Sequence, residues 1–382
     1  MPIARDIRHP TLPRKQEKVK WAPRRAMSKV ALLATTLAAT ATGAGAEIIK
    51  IEDMLRGITT TRDQCAATPQ TLWLNVDKQD FCVRYYLSTA GGEGMRPVVF
   101  LQGDQVAPVN TRTWQWTPVS EDKKATNPAA YGDTNTDDLM KSADAFSKMA
   151  RTRAIYLARI GVGGTSGNHV FRRTLLELHL MNAALDAIKQ RYGFEGFHLA
   201  GQSGGSTLVT ALAGIRRDIA CAVSGSGRLG RSRDIRSEDP ARTLVNPLEF
   251  ISSIAQNRSL RFVMVTDPAD LTVPVKEQTL FAEEMHRAGR DIPQYFVTAT
   301  DDNHHGVTRY TELVTGGCVL GKSDADIATA VGTMIKRNAA FDAQRRKEIA
   351  LFTKNGAVSP ASSAEPPTAP SGSRARTGGK RT

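Results

Sequence analysis

Between residues 70 and 300 the chain alternates short runs of β-branched and aromatic residues with stretches in which apolar side chains recur every three or four positions. Short buried runs and period-two alternation predict strands, whereas the longer period predicts helices. Eight runs qualify as strands: Thr71 to Val76, Phe81 to Ser88, Pro97 to Leu101, Ala154 to Ala158, Phe197 to Ala200, Ile219 to Ser224, Phe262 to Thr266 and Tyr295 to Thr298. The first two flank the turn-prone Asp77-Lys78-Gln79-Asp80 and predict an antiparallel hairpin, while the other six read as buried strands of a mainly parallel sheet. Leu175, Leu178, Met181, Leu185 and Ile188 form a helical stripe stopped by Gly193, and Val275 to Ala288 forms another that ends at Gly289. A last helix is predicted from about Asp324 to Leu351, with Ile327, Met334, Ile335 and Phe341 toward the sheet and Arg345, Arg346 and Lys347 in its terminal turns. This layout predicts an α/β domain whose sheet carries helices on both faces. Asp104 to Ala145 and Arg228 to about Leu260 break the rhythm. Both leave from carboxyl ends of strands, where open α/β sheets bind ligands, so they are candidate walls of a substrate pocket.

The composition, 41% apolar and 23% charged over 382 residues, suits one large or two ordinary globular domains. The net charge of +13 sits mostly at the ends: residues 1–46 hold nine basic and two acidic residues, residues 354–382 five and one, which leaves only +2 for the 307 residues between. That distribution excludes a broadly basic nucleic-acid-binding body. Residues 1–46 read as an export signal, with a basic stretch from Arg14 to Lys29, an apolar run from Val30 to Ala39, and the small residues Ala44-Gly45-Ala46 before Glu47. Arg24-Arg25-Ala26-Met27-Ser28-Lys29 is similar to a twin-arginine signal; alternatively Met27 is the true start of an ordinary one. The apolar run is too short for a stable membrane span, so the expected location is periplasmic or secreted. The expected domains are the signal (1–46), a folded body (47–353) and a disordered basic tail (354–382), rich in Pro, Ser and Ala, that could touch anionic envelope polymers.

Export makes disulfides plausible for the four cysteines. Cys65 and Cys82 flank a short strand-like segment, and closing that loop would contribute roughly 3 kcal/mol in the chain-entropy model. Cys221 and Cys318 would then pair by default, although Cys221 lies in an apolar run where a free buried thiol fits as well.

The segment richest in chemistry is Phe197-His198-Leu199-Ala200-Gly201-Gln202-Ser203-Gly204-Gly205-Ser206-Thr207-Leu208, a strand running through Gly-x-Ser-x-Gly into a helix. A turn sharp enough to lift a serine hydroxyl above a sheet needs glycine on either side, and the helix that follows aims backbone N–H groups at the same spot. A serine nucleophile needs a base, and the base an orienting carboxylate. Two carboxylates, Asp267 and Asp270, follow the strand that ends at Thr266, and two histidines, His304 and His305, follow the one that ends at Thr298.

In these motifs and their order the sequence resembles the α/β-hydrolase superfamily over most of residues 70–340, in its dienelactone-hydrolase and prolyl-oligopeptidase-like branches. The resemblance implies an eight-stranded, mostly parallel sheet with a small insertion and no large cap. It implies Ser203 as nucleophile, Asp270 of Asp270-Leu271-Thr272-Val273-Pro274 as acid and His305 of His305-Gly306 as base, with Asp267 and His304 as alternates. It also implies oxyanion donors at the backbone N–H groups of Gly204 and of Asp104 in Phe100-Leu101-Gln102-Gly103-Asp104, where Gln102 replaces the family's histidine. An ionised Asp104 facing the site would oppose a developing oxyanion, so it should point away or pair with a cation. Gln102, Gln202, Arg159, Trp114 and Trp116 are the candidate pocket residues.

Asp133-x-Asn135-x-Asp137 imitates the start of a calcium loop, but Asp138 stands where the turn needs glycine. Asp301, Asp302, His304 and His305 could form a metal site, yet adjacent histidines do not share a face. Gly161 to Gly167 lacks the spacing of a nucleotide loop and resembles the hydrolase loop after the fourth strand. The expected protein is therefore a cofactor-free, metal-free serine hydrolase acting on a small ester or a short peptide, the ester favoured. The competing classes are a peptidase and a catalytically silent hydrolase fold that serves as an envelope binding module.

Overall fold

The computed structural model describes residues 46–122, 131–230 and 237–354; the expected signal and tail lie outside these, except for residues 46 and 354. Eight strands form one sheet: β1 (Thr71–Val76), β2 (Gln79–Ser88), β3 (Val98–Leu101), β4 (Ala154–Leu157), β5 (Phe197–Gln202), β6 (Ile219–Gly225), β7 (Arg261–Thr266) and β8 (Gln294–Phe296). Their spatial order is β1-β2-β4-β3-β5-β6-β7-β8. β2 runs antiparallel to β1 and β4, and every other pair is parallel. The opening turn is tighter than the sequence suggests. Val76 pairs with Gln79, so only Asp77 and Lys78 form the loop, both at positive φ (47° and 63°), as a two-residue hairpin turn requires.

Because side chains alternate across a strand, each central strand supplies two cores. Val99, Leu101, Ile155, Leu157, Leu199 and Phe262 face α2 (Leu175–Tyr192), α3 (Gly204–Ile215) and α4 (Val275–Arg287). Val98, Phe100, Tyr156 and Ala200 face α1 (Thr136–Ala150). Val223, Val263 and Val265 face α5 (Thr308–Val319) and α6 (Asp324–Lys354).

Two of the long helices depart from the sequence reading. α1 occupies the end of the stretch read as a pocket wall, and it covers the sheet with Leu139, Ala143, Phe146 and Ala150. α5 occupies a segment rich in Thr and Gly in which no helix was predicted. In the second interruption, 3-10 turns at Pro240–Arg242 and Pro247–Phe250 lead into a short helix, Ile251–Gln256. Both disulfides are closed, Cys65–Cys82 with Cα atoms 5.7 Å apart and Cys221–Cys318 with Cα atoms 6.3 Å apart. The second ties β6 to the end of α5. Among the described residues, no helix is long and apolar enough to cross a membrane.

Candidate active site

The turn from β5 into α3 carries Ser203 in a strained conformation, φ 53° and ψ −118°. A non-glycine residue at such a position is costly and persists only where its surroundings over-determine it. They do so here. A side chain on Gly205 would place its Cβ 2.0 Å from the Leu101 carbonyl oxygen and 2.6 Å from that of Gln102, and one on Gly201 would meet the Ser206 amide nitrogen at 2.7 Å. The Ser203 N–H donates to the Gly225 carbonyl at 2.8 Å and pins the turn to β6. Gly204 opens α3, so its N–H is one of the first-turn amides that have no acceptor within the helix.

Asp270 and His305 meet at 2.8 Å, Oδ2 to Nδ1. The other oxygen of Asp270 accepts the N–H groups of Thr272 and Val273, both at 2.8 Å. Burial pushes the Asp270 carboxyl up, but the His305 bond and the backbone N–H groups outweigh it and hold the group below the usual carboxylate range. An ionised Asp270 can only accept, so His305 carries its proton on Nδ1 and leaves Nε2 free to act as a base.

The loop bearing His305 is fastened at several points. Asp301 accepts the His305 and Gly306 N–H groups at 3.1 and 2.7 Å, and the Leu271 N–H donates to the Asn303 carbonyl at 2.9 Å. Gln202 Nε2 donates to the His305 carbonyl at 2.7 Å, which brings the residue beside Ser203 into contact with this loop. Among the described residues, no hydrogen bond joins Ser203 Oγ to His305 Nε2; the ring is held by the bond of Nδ1 to Asp270. Asp267 and His304 form a second pair, Oδ2 to Nδ1 at 3.1 Å. These bonds occupy Asp301, His304 and His305 within the loop, and among the described residues no group of three His, Cys, Asp or Glu is arranged to hold a metal. Asp133 pairs with Lys50, and Asn135 caps α1.

Asp104 lies against the Ser203 turn: a side chain on Gly204 would meet its Oδ1 at 2.0 Å. It pairs with three cations, Arg159 Nη1 and Arg173 Nε at 3.0 Å and Arg172 Nε at 3.4 Å. Burial raises its pKa, but Arg173, Arg172 and Arg159 together bring it well below the ordinary value. The carboxylate is thus compensated, as its position requires. Arg159 grips Glu177 through two bonds (3.0 and 2.8 Å) and the Gln102 carbonyl at 3.1 Å. His169 donates Nδ1–H to the Ile160 carbonyl and accepts the Gln105 N–H on Nε2; burial, with Arg159 and Arg172 nearby, lowers its pKa well below normal.

The other candidates are placed as follows. Arg159, with its side chain 1% exposed, lies beneath the site and not along its edge, because two carboxylates hold it in the interior. Gln102 accepts the Tyr156 hydroxyl. Trp116 donates to the Leu55 carbonyl at 2.7 Å under the Arg172 guanidinium, and Trp114 packs 6.0 Å from Phe171, so both are engaged with their own surroundings. A 480 Å³ cleft opens between Thr298–Thr300 and α6 at Ile335, Asn338 and Ala339; none of Ser203, Asp270 and His305 lines it. Glu177, Arg172 and Arg173 escape a reading of the sequence, and Asp301 is read there only as a possible metal ligand. Only Asp301 has a local signal, an aspartate four residues before the histidine whose N–H it accepts.

The strand order, the antiparallel second strand and the strained serine after β5 define an α/β-hydrolase fold. No protein-family model matches the chain, and no curated protein sequence matches it. Among solved structures it is similar to the Pyrococcus furiosus esterase Pf2001, at 12% identity and a TM-score of 0.46 over 69% of this chain and 96% of that one. It is also similar to Est1E from Butyrivibrio proteoclasticus with ferulic acid bound, at 16% identity and 0.41 over 65% and 97%. A third similarity, to the Pyrococcus horikoshii acylaminoacyl peptidase, is at 10% identity and 0.40 over 64% of this chain and 40% of that one.

Proposed function

We propose that the chain is an exported serine hydrolase that cleaves a carboxylic ester through an acyl-enzyme. The observation that carries this reading is the Asp270–His305 bond on a loop tied through Gln202 to a strained Ser203. Ser203 Oγ attacks the substrate carbonyl while His305 Nε2 takes its proton, and Asp270 stabilises the resulting imidazolium. The tetrahedral oxyanion accepts hydrogen bonds from the Gly204 and Asp104 N–H groups. Collapse expels the alcohol, protonated by His305; a water activated by the same imidazole then releases the acid. Asp104 does not oppose the oxyanion, because three guanidinium groups compensate its charge. The two disulfides support export to an oxidising compartment.

The test is covalent labelling of the full chain with a fluorophosphonate, read by intact mass. One adduct that maps to Ser203, and is absent from folded Ser203→Ala and His305→Ala variants, is the expected result; folded wild type without an adduct would overturn it. Parallel assays with p-nitrophenyl esters and short peptides then decide whether ester or amide is preferred.

A further inference from the structure

The two Asp–His pairs lie side by side, although consecutive residues on an extended backbone point to opposite sides. What turns both rings toward the β7 loop is His304, whose φ of 53° places it in the left-handed region. Asp267, 2% exposed, gathers three donors: Ala269 N–H at 2.8 Å on Oδ1, and Ala299 N–H at 2.7 Å with His304 Nδ1 at 3.1 Å on Oδ2. This buried carboxylate therefore joins the end of β7, the chain leaving β8 and the residue before the base. The His304 side chain is 38% exposed, so burial of its ring does not explain why the turn is held.

We propose that His304 is a positioning residue: its Nδ1–H bond to Asp267 holds the left-handed turn that seats the His305 ring on Asp270. This rests on the reading of Ser203, His305 and Asp270 as the hydrolytic site. His304 is then not a spare base, and Asp267 is not a spare acid. Three substitutions separate donor from strain. His304→Gly relieves the backbone but supplies no donor. His304→Ala keeps the strain and supplies none. His304→Asn supplies an N–H near the position of Nδ1, on a residue that tolerates left-handed backbone.

The experiment measures the rate of fluorophosphonate labelling at Ser203, and kcat and KM on a p-nitrophenyl ester, for these variants and Asp267→Asn in the full chain, with thermal melts to confirm folding. His304→Gly, His304→Ala and Asp267→Asn are expected to lose about 10- to 100-fold in labelling rate and kcat at unchanged KM, the scale of a displaced catalytic group. His304→Asn is expected to stay within about threefold of wild type, because it keeps the donor. Wild-type rates in His304→Gly would overturn the proposal, since the donor would then be dispensable. So would a His304→Asn loss as deep as that of His305→Ala, since His304 would then be acting as the base. Failure of wild type itself to label would remove the hydrolytic reading instead, a result that the His304 series cannot mimic.

Discussion

The ion pair beneath the loop that follows β3 gives the sharpest quantitative expectation. Arg159 and Glu177 are 1% and 0% exposed, joined by two N–H···O bonds of 3.0 and 2.8 Å. Arg159→Met keeps most of the length of the side chain but removes the cation. The Glu177 carboxylate would keep the Arg173 N–H, at 2.5 Å, and the Gln102 carbonyl would lose its Arg159 donor. Removing one member of a buried pair strands a charge, which costs about 3–5 kcal/mol. Glu177→Gln, added to Arg159→Met, removes the stranded charge but leaves an oxygen for the Arg173 N–H, so the double variant should recover about 2 kcal/mol of the single-variant loss. Urea unfolding of the wild type, both single variants and the double variant, followed by tryptophan fluorescence with the disulfides intact, measures this coupling. An Arg159→Met cost below about 1 kcal/mol, or additive single-variant costs, would refute the description of the pair as buried and mutually dependent.

Gly205→Ala should abolish serine labelling and soluble expression, because its Cβ would lie 2.0 Å from a backbone oxygen. Gly193→Ala, at φ 67° with nothing within 4 Å, should cost only about 1 kcal/mol in a urea melt. Replacing Cys221 and Cys318 by serine opens a 97-residue link and should cost more than replacing Cys65 and Cys82, which are 17 apart, about 4–5 against about 3 kcal/mol in the chain-entropy model; paired urea melts check the order. Burial pushes the Glu312 carboxyl up to about 7, with Arg309 opposing. The native state therefore holds a proton that the unfolded chain has released, and stability falls as pH rises from the ordinary carboxylate range to about 7. Glu312→Gln should remove about 1–3 kcal/mol of that fall, measured as urea midpoints at pH near 5 and near 8.

The sheet was legible in the sequence because each strand carries its own signal: buried runs such as Val98–Leu101 need no knowledge of their neighbours. The elbow was legible for the same reason, since serine, flanking glycines, strand and helix are contiguous. α1 was hidden because Asp137, Asp138, Lys141 and Asp144 make the segment read as polar, although Leu139, Ala143, Phe146 and Ala150 recur at helical spacing. α5 was hidden because its Thr and Gly residues have weak helix propensity and it is held by packing against β6. The arginines around Asp104 were out of reach, since Arg172 and Arg173 come from the loop before α2 and Asp104 from the end of β3. Nothing local in the sequence marks a carboxylate that three distant cations will surround.

The strand order also sets when the site can come into being. Gln202 reaches across 103 residues to His305, and Asp270 across 35, while β8, just before the histidine loop, is the edge strand added at the far end of the sheet. Contacts that close such long loops form late, because chain entropy must be overcome before they are rewarded. A chain that emerges amino end first would close the Ser203 turn, pinned to Gly225, well before Asp270 and His305 can meet. The Asp270–His305 bond is thus among the last contacts to close, and its presence reports a completed sheet.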